Sequence, residues 1–232
     1  MTRLQTRSLK SVLSAAAAFA LAATLSGCGR SAEPTAADID AALTTYLAQR
    51  GDLCLAKTQW PIDVTEREIR AGARNAVQMP VLEKLGLVTM GVAEVDALDD
   101  DGVSHHMKVR RYALTDAGRK FYVVRSVHGA NGKTLSQGDF CAAKLSLDKV
   151  VGWSKDTSAA IVAREAAASA PADVRQMVVT YTYHVTPAPW ATDADAQKVF
   201  PVVAGVIRGD GVAQLNETVR LTDHGWVAVE LL

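Results

Sequence analysis

The stretch VRRYALTDAGRKFY, residues 109–122, sets the expected architecture of the first half of this chain. Its first six residues end a segment, MKVRRYAL, whose β-branched and aromatic side chains favour a strand. Thr115 follows at a position typical of a helix N-cap, and DAGRKFYVV after it predicts a helix. The stretch therefore predicts a strand that places Tyr112 and Leu114 in a core, followed directly by a capped helix.

Three further helices are expected upstream of this stretch. Thr35 can cap the first of them, and residues 65–68, Thr-Glu-Arg-Glu, form a capping box by residue type for a second helix that runs to about Val77. Pro80 fits the first turn of a third helix over MPVLEKLG, residues 79–86. The upstream region is therefore predicted to be mainly helical.

A hairpin is expected between the third helix and Thr115. LVTMGVAEV, residues 87–95, predicts its first strand, and ALDDDG, residues 97–102, predicts an acidic turn before MKVRRYAL returns. LEKLGLV followed by RRYALTDAGRKFY resembles the winged-helix family over roughly residues 36–125. The resemblance implies three helices, a hairpin and a closing helix. In that family the Leu-Gly-Leu ends the recognition helix, and the Tyr-x-Leu-Thr packs the wing onto the core.

The second half, residues 131–232, predicts a small antiparallel β-rich domain with one helix. Asn131-Gly132 is a strong turn signal and marks the boundary with a winged-helix-like domain at residues 36–130. RQMVVTYTYHV is the clearest strand, with Met177 through Val185 alternating between two faces. The YTY, PW and LTDHGW patterns are similar to uncharacterised lipoproteins of Gram-negative bacteria. The predicted fold class is α+β.

The N-terminus predicts an exported lipoprotein. Three basic residues precede the apolar run of residues 11–25, which is the anatomy of a signal peptide. Residues 25–28, Leu-Ser-Gly-Cys, resemble the lipobox of bacterial lipoproteins. The resemblance implies cleavage between Gly27 and Cys28, acylation of Cys28, and a tether over residues 28–35 after a signal peptide of residues 1–27. An N-terminal anchor that is never cleaved is the alternative.

The residue after the acylated cysteine predicts the destination. In Gram-negative lipoproteins an Asp at this position implies retention at the inner membrane, and this chain has Gly29 instead. The resemblance therefore implies a protein held in the outer membrane by lipid on Cys28 and facing the periplasm, with the inner membrane as the alternative. The membrane is the first partner that the sequence predicts.

The charge of the mature chain argues against nucleic acid as a partner. The whole chain has 25 basic and 25 acidic residues, and the signal peptide carries three of the basic ones. The mature chain then has 22 basic and 25 acidic residues, a formal charge of −3. Non-specific binding to nucleic acid needs a basic surface that displaces counterions. We therefore expect no nucleic-acid partner.

Two cysteines remain after Cys28 is assigned to lipid. Cys54 and Cys141 are the only others in the chain, so an oxidising compartment favours a disulfide between them. The alternative is a pair of buried free thiols. A bridge would place a covalent link between the two predicted domains.

Known catalytic and metal-binding patterns are not found in the sequence. His105 and His106 are adjacent, so a strand would point them to opposite faces, and the three aspartates after Leu98 lack the alternate spacing of a calcium loop. Glu217 interrupts an apolar stripe, and we expect it to lie in solvent. The sequence therefore predicts no metal, no cofactor and no catalytic residue. Trp153, Trp190 and Trp226 are expected to fill the core of a small sheet rather than to line a pocket.

A basic face on the second helix is the candidate binding surface. It carries Arg67, Arg70 and Arg74, and we expect it to contact another envelope protein or the cell wall. A non-catalytic binding or structural protein is the function that the sequence favours. An envelope enzyme with a site between the two halves is the alternative, and a DNA-binding regulator is a third hypothesis.

Overall fold

A computed structural model describes residues 33–98, 104–128, 134–155 and 175–232 of the chain. Helices and antiparallel sheets are mixed along these residues, so the predicted α+β class is confirmed. None of the helices described is long and apolar enough to cross a membrane. Several predicted features lie outside the described residues: the predicted signal peptide, Cys28, the acidic residues 99–101, the predicted Asn131-Gly132 turn and residues 156–174.

The described residues form two antiparallel sheets. The smaller sheet has the order β2-β4-β3, made of β2 (Ile62–Thr65), β3 (Val88–Leu98) and β4 (Ser104–Leu114). The larger sheet has the order β1-β6-β7-β8-β9, and β5 also pairs with β6. Its strands are β1 (Asp52–Cys54), β5 (Tyr122–His128), β6 (Thr134–Lys155), β7 (Gln176–Pro187), β8 (Gln214–Thr222) and β9 (Gly225–Ala228).

The helices of the first half are α1 (Ala36–Arg50), α2 (Glu66–Ala71), α3 (Arg74–Lys84) and α4 (Asp116–Arg119). Of these, α1, α2 and α4 begin after their predicted caps, whereas α3 begins at Arg74 rather than at Met79. Capping boxes at Thr35 and Thr65 are confirmed. The predicted extension of the second helix to about Val77 is wrong, because α2 ends at Ala71. Gly72 follows it with a φ of 61°, the left-handed conformation that glycine adopts readily. Pro80 lies inside α3.

The opening stretch forms a strand, a cap and only one helical turn. Tyr112 is 2% exposed and lies in the core, as predicted. Thr115 accepts a hydrogen bond from the backbone N–H of Gly118 at 3.0 Å, which confirms the cap. The longer helix predicted over DAGRKFYVV is wrong, because α4 stops at Arg119 and β5 begins at Tyr122. The backbone hydrogen bonds of this segment are made by pairing of β5 with β6 instead. That pairing is a tertiary contact, which the propensity of the segment itself does not indicate.

The winged-helix assignment is not confirmed, because α1 packs elsewhere. The local order β2-α2-α3-β3-β4 is present. However, Ile39, Leu43 and Leu47 of α1 share a core with Tyr181 and Trp226 of the larger sheet. The first helix therefore covers a sheet built mainly from the second half of the chain.

The predicted domain boundary does not separate two bodies among the described residues. The first-half strand β1 pairs with β6, and both halves belong to one compact unit. A second core is built from both halves as well, and includes Val64, Met79, Leu82, Tyr112, Phe140, Trp190 and Phe200.

The second half has more helix than the sequence suggests. A 3-10 helix at Pro189–Thr192 is followed by α5 (Ala194–Val199) and α6 (Pro201–Arg208). Asp193 caps α5 by accepting hydrogen bonds from the backbone N–H groups of Asp195 and Ala196. The prediction of a single helix here is therefore wrong. The two faces of β7 are as predicted, since Met177, Val179, Tyr181 and Tyr183 are all buried on one of them.

Candidate functional site

A cavity of about 350 Å³ lies where the two halves of the chain meet. We call it the junction pocket. Strand β1 and the residues after it form one wall, α3 forms the second, and the start of α6 forms the third. Its lining residues include Leu53, Leu55, Arg74, Gln78, Phe200 and Val203.

Arg74 and Gln78 give the junction pocket its polar groups. They lie four residues apart on α3 and so face the same side of that helix. The Gln78 side-chain N–H donates a hydrogen bond to the backbone oxygen of Val199 at 3.0 Å. The other amide atom, Oε1, is buried and has no hydrogen-bond partner. A buried acceptor left unpaired carries a free-energy cost, so a ligand that donates a hydrogen bond would be favoured here.

The backbone beside the pocket is held in a strained conformation. Ala56 lines the pocket and has a φ of 56°, a left-handed value that is uncommon for a residue with a Cβ. The carboxylate of Asp139 accepts hydrogen bonds from the backbone N–H groups of Ala56 at 3.2 Å and Lys57 at 2.7 Å. These two bonds fix the turn. Strained residues of this kind cluster at functional sites.

Lys57 is a buried cation directly behind the pocket wall. Its side chain donates a hydrogen bond to Asn75 at 2.7 Å, and the residue is only 4% exposed. Burial and, to a smaller extent, the nearby charge of Arg74 lower the pKa of Lys57 to about 8, while the charge of Asp139 opposes them. A fraction of Lys57 is therefore neutral just above neutral pH.

The predicted cysteine pair also lies at this site. Cys54 and Cys141 are joined by a disulfide in the structure. The prediction that these two cysteines are able to bond is therefore confirmed. Cys54 lines the junction pocket. The bridge connects β1 to β6 where the two strands are already paired.

The three arginines of the predicted basic face are all exposed. Arg67 and Arg70 lie three residues apart on α2 and so share a side of that helix. Arg74 begins α3 on the other side of the Gly72 turn and is the only one of the three that lines the junction pocket. Whether they form a partner surface stays a prediction.

The other candidate residues of the sequence lie away from the pocket. His106 is exposed between Asp96, at 2.9 Å, and Glu94, at 3.1 Å. Among the described residues, no group of histidine, cysteine and acidic side chains is arranged to hold a metal ion.

The tryptophans match the prediction in part, and Glu217 does not match it. Trp190 and Trp226 fill cores, as predicted, whereas Trp153 is 39% exposed. The expectation that Glu217 lies in solvent is wrong, since it is 9% exposed and faces α1 beside Tyr46. Burial and the nearby Glu230 raise the pKa of Glu217, while a hydrogen bond from Tyr46 works against them.

No family model matches the chain, and neither the curated proteins nor the solved structures include a match. The junction pocket must therefore be interpreted from its own chemistry.

Sequence reasoning missed Gln78, Ala56 and Lys57. No motif marks them, because the pocket assembles residues from positions 53 to 203. The only available signal was the cysteine pair, which predicted that residue 54 approaches residue 141. That contact places β1 on the larger sheet, and β1 supplies Leu53 and Cys54 to the pocket.

Proposed function

We propose that this chain is a periplasm-facing lipoprotein of the outer membrane, anchored by lipid on Cys28, that binds a partner without catalysing a reaction. The order of basic region, apolar run and Leu-Ser-Gly-Cys supports the anchor. A disulfide-capable pair at Cys54 and Cys141 fits an oxidising compartment. These features place no constraint on which partner is bound.

The junction pocket is the observation that carries the binding role. Apolar walls from Leu53, Leu55 and Phe200 surround one cation, Arg74, and one unpaired amide oxygen on Gln78. Binding pockets in proteins have this composition, with apolar walls and a few polar groups that orient the ligand. We propose that the pocket receives an apolar side chain next to an acidic group of an envelope protein or cell-wall partner.

The anchor is tested by labelling cells with a fatty-acid analogue and measuring the intact mass of the purified chain. We expect cleavage before Cys28, an acylated Cys28 and recovery in the outer-membrane fraction. Cys28→Ser should lose both label and membrane association, and Ser31→Ala, in the same tether, should keep both. An uncleaved and unlabelled wild-type chain would disprove the anchor.

The binding role is tested by site-specific photo-crosslinking in intact cells. Val202 lines the pocket and is 73% exposed. Val92 is equally exposed, at 73%, but lies on β3, and it serves as the matched control. We expect a discrete adduct from a photo-reactive residue at 202 and none at 92, and we expect Arg74→Glu to abolish it. Equal adducts at both positions would contradict a role for the junction pocket.

One observation favours an envelope enzyme as a second candidate function. An amine with a pKa of about 8, as Lys57 has, is a form of lysine used as a base or nucleophile. An enzyme using it would lose turnover in Lys57→Met while retaining partner binding. Retention of all measured activity in that variant would exclude Lys57 chemistry.

A further inference from the structure

A second cavity, of about 430 Å³, lies between α1 and the larger sheet. We call it the bulge groove. It lies at neither the junction pocket nor the basic face, and the proposed function does not use it. Its lining residues include Asp40, Thr44, Leu147, Asp148, Lys149 and Trp153.

Two irregularities in β6 shape the groove. The pairing of β6 with β7 shifts between Leu147 and Lys149 and again between Val150 and Gly152, so Asp148 and Val151 are extra residues. A bulge leaves its residue outside the regular ladder and changes the direction of nearby side chains. Bulges are over-represented at sheet edges and next to active sites. Both bulges of β6 lie in the segment that lines the groove.

Trp153 provides an accessible aromatic surface. It follows the second bulge and is 39% exposed, whereas Trp190 and Trp226 are 6% and 8% exposed. A tryptophan ring presents a large flat apolar face at little cost in conformational entropy. Leu147 adds a second apolar side chain to the lining.

Hydrogen-bonding groups lie opposite this surface on α1. Asp40 and Thr44 are four residues apart and so share one side of the helix. Both are exposed and both line the groove. They supply a carboxylate that accepts hydrogen bonds and a hydroxyl that both donates and accepts.

Asp148 is held in place by other side chains. Its Oδ2 accepts a hydrogen bond from the hydroxyl of Thr182 at 2.6 Å, and its Oδ1 lies 3.1 Å from Nε2 of His184. The other ring nitrogen of His184 lies 3.1 Å from Asp210. These bonds direct the carboxylate to the face of β7 that carries Thr182 and His184, opposite the face that α1 covers, so the ligand-facing carboxylate of the groove is that of Asp40.

The mixture of charges selects the class of ligand. An anion would meet Asp40, and a cation would meet Lys149. A neutral ligand that both donates and accepts hydrogen bonds satisfies both, and Trp153 requires it to have a flat apolar face. A pyranose ring has this combination, with hydroxyls around its edge and C–H groups on its face. We propose that the bulge groove is a binding site for a neutral hexopyranose saccharide.

The test is saturation-transfer NMR and calorimetry on the full chain, in a detergent that carries no sugar headgroup. The probes are three tetrasaccharides: β-1,4-linked glucose, β-1,4-linked N-acetylglucosamine and α-1,4-linked glucose. We expect saturation transfer to the ring C–H protons of at least one of them. Trp153→Ala should weaken its affinity by about tenfold or more, and Asp40→Asn and Thr44→Ala should each weaken it several-fold.

Controls separate binding from folding and from a charged ligand. Trp153 and Thr44 are exposed, so their variants should melt with the wild type, and Val92→Ala on β3 should bind as the wild type does. Absence of transfer from every saccharide at about 10 mM would overturn the proposal, and so would transfer that Trp153→Ala leaves unchanged. Tighter binding of tetramethylammonium than of any saccharide, lost in Trp153→Ala, would also overturn it in favour of an ammonium site.

Discussion

The guanidinium of Arg111 makes a two-bond contact with the carboxylate of Asp63. Its Nε donates to Oδ1 at 2.7 Å and its Nη2 donates to Oδ2 at 2.6 Å. The two residues are directly opposed in the β2–β4 pairing. Its neighbour Arg110 lies 3.7 Å from Glu66. Arg110 and Arg111 are therefore engaged with acidic partners of this sheet and the adjoining helix.

Asp63→Asn should lower the free energy of unfolding by about 1 kcal/mol or less, because Arg111 is partly exposed and solvent screens the pair. The hydrogen bonds from Arg111 lower the pKa of Asp63. A carboxylate with a lowered pKa stabilises the fold above its unfolded value and loses that effect as pH falls through its folded value. The difference in free energy of unfolding between wild type and variant, measured by urea denaturation, should therefore shrink below about pH 4.

The matched control for this pair is Asp116→Asn. Asp116 also contacts an arginine, Arg119, at 2.6 Å, but its side chain is 96% exposed. We expect this variant to change the free energy of unfolding by less than Asp63→Asn does. Equal effects of the two substitutions would contradict a special role for the cross-strand contact.

Lys57 should make stability rise with pH in the alkaline range. Its folded pKa is about 8, below the ordinary value of 10.5, so the unfolded chain binds more protons between these values. Stability should increase from about pH 8 to 10.5, by up to about 3 kcal/mol at 1.36 kcal/mol per pKa unit. Urea unfolding at several pH values measures this gain.

Lys57→Met should remove the alkaline gain, since methionine fills the buried volume without a charge. Lys198, which is exposed, gives the control variant Lys198→Met, and its pH profile should follow that of the wild type. A Lys57→Met profile parallel to the wild type would show that Lys57 ionises in the folded chain as it does in water.

The parts of the fold that the sequence predicts depend on neighbours within a few residues. Thr35, Thr65 and Thr115 cap helices by accepting from backbone N–H groups three residues ahead, so residue type and spacing are sufficient to find them. The alternation of β7 is equally local. Tyr122 shows the limit, because its strand is specified by pairing with β6, and a helix pattern in its own segment does not reveal that partner.

The candidate sites depend on contacts between distant segments. Gln78 and Phe200 line one pocket although 122 positions separate them, and Asp40 and Trp153 line the other. No periodicity within one segment reports such a pair. Glu217 shows the same limit, since α1 covers the face of β8 on which it lies.

Glu217→Gln should stabilise the chain at neutral pH. Burial and Glu230 raise the pKa of Glu217, so the folded chain holds this proton to a higher pH than the unfolded chain does. Stability therefore falls as pH rises from the unfolded to the folded pKa of this group. Gln keeps an oxygen that can accept the hydrogen bond from Tyr46, and it removes the buried charge.

The change in urea midpoint between pH 4 and pH 7 measures this effect. We expect the wild type to lose more stability than Glu217→Gln over that interval. Glu230→Gln is the control on the exposed neighbour. It should reduce the stability that the chain loses between pH 4 and pH 7, because it removes the repulsion between the carboxylates of Glu217 and Glu230. A variant less stable than the wild type at pH 7 would show that the ionised carboxylate is stabilising.

His106 should stabilise the hairpin of β3 and β4 in its protonated form. Hydrogen bonds to Asp96 and Glu94 raise its pKa. A histidine with a raised pKa stabilises fully below its unfolded value and loses this effect as pH rises through the folded value. NMR titration should give His106 a pKa above that of a model peptide, and Asp96→Asn should lower it. Glu66→Gln, distant from this ring, should leave it unchanged.

Removal of the disulfide should destabilise the chain more than any other change considered. Cys54 and Cys141 are separated by 87 residues. In the chain-entropy model, a bridge that closes a loop of that length lowers the entropy of the unfolded chain and so stabilises the fold by about 4–5 kcal/mol. We expect Cys54→Ala with Cys141→Ala to shift the urea midpoint strongly downward. Reductant should shift the wild type in the same direction and leave the double variant unchanged, because no bridge remains to reduce. Equal midpoints for the oxidised wild type and the double variant would show that pairing of β1 with β6 restrains these segments without the bond.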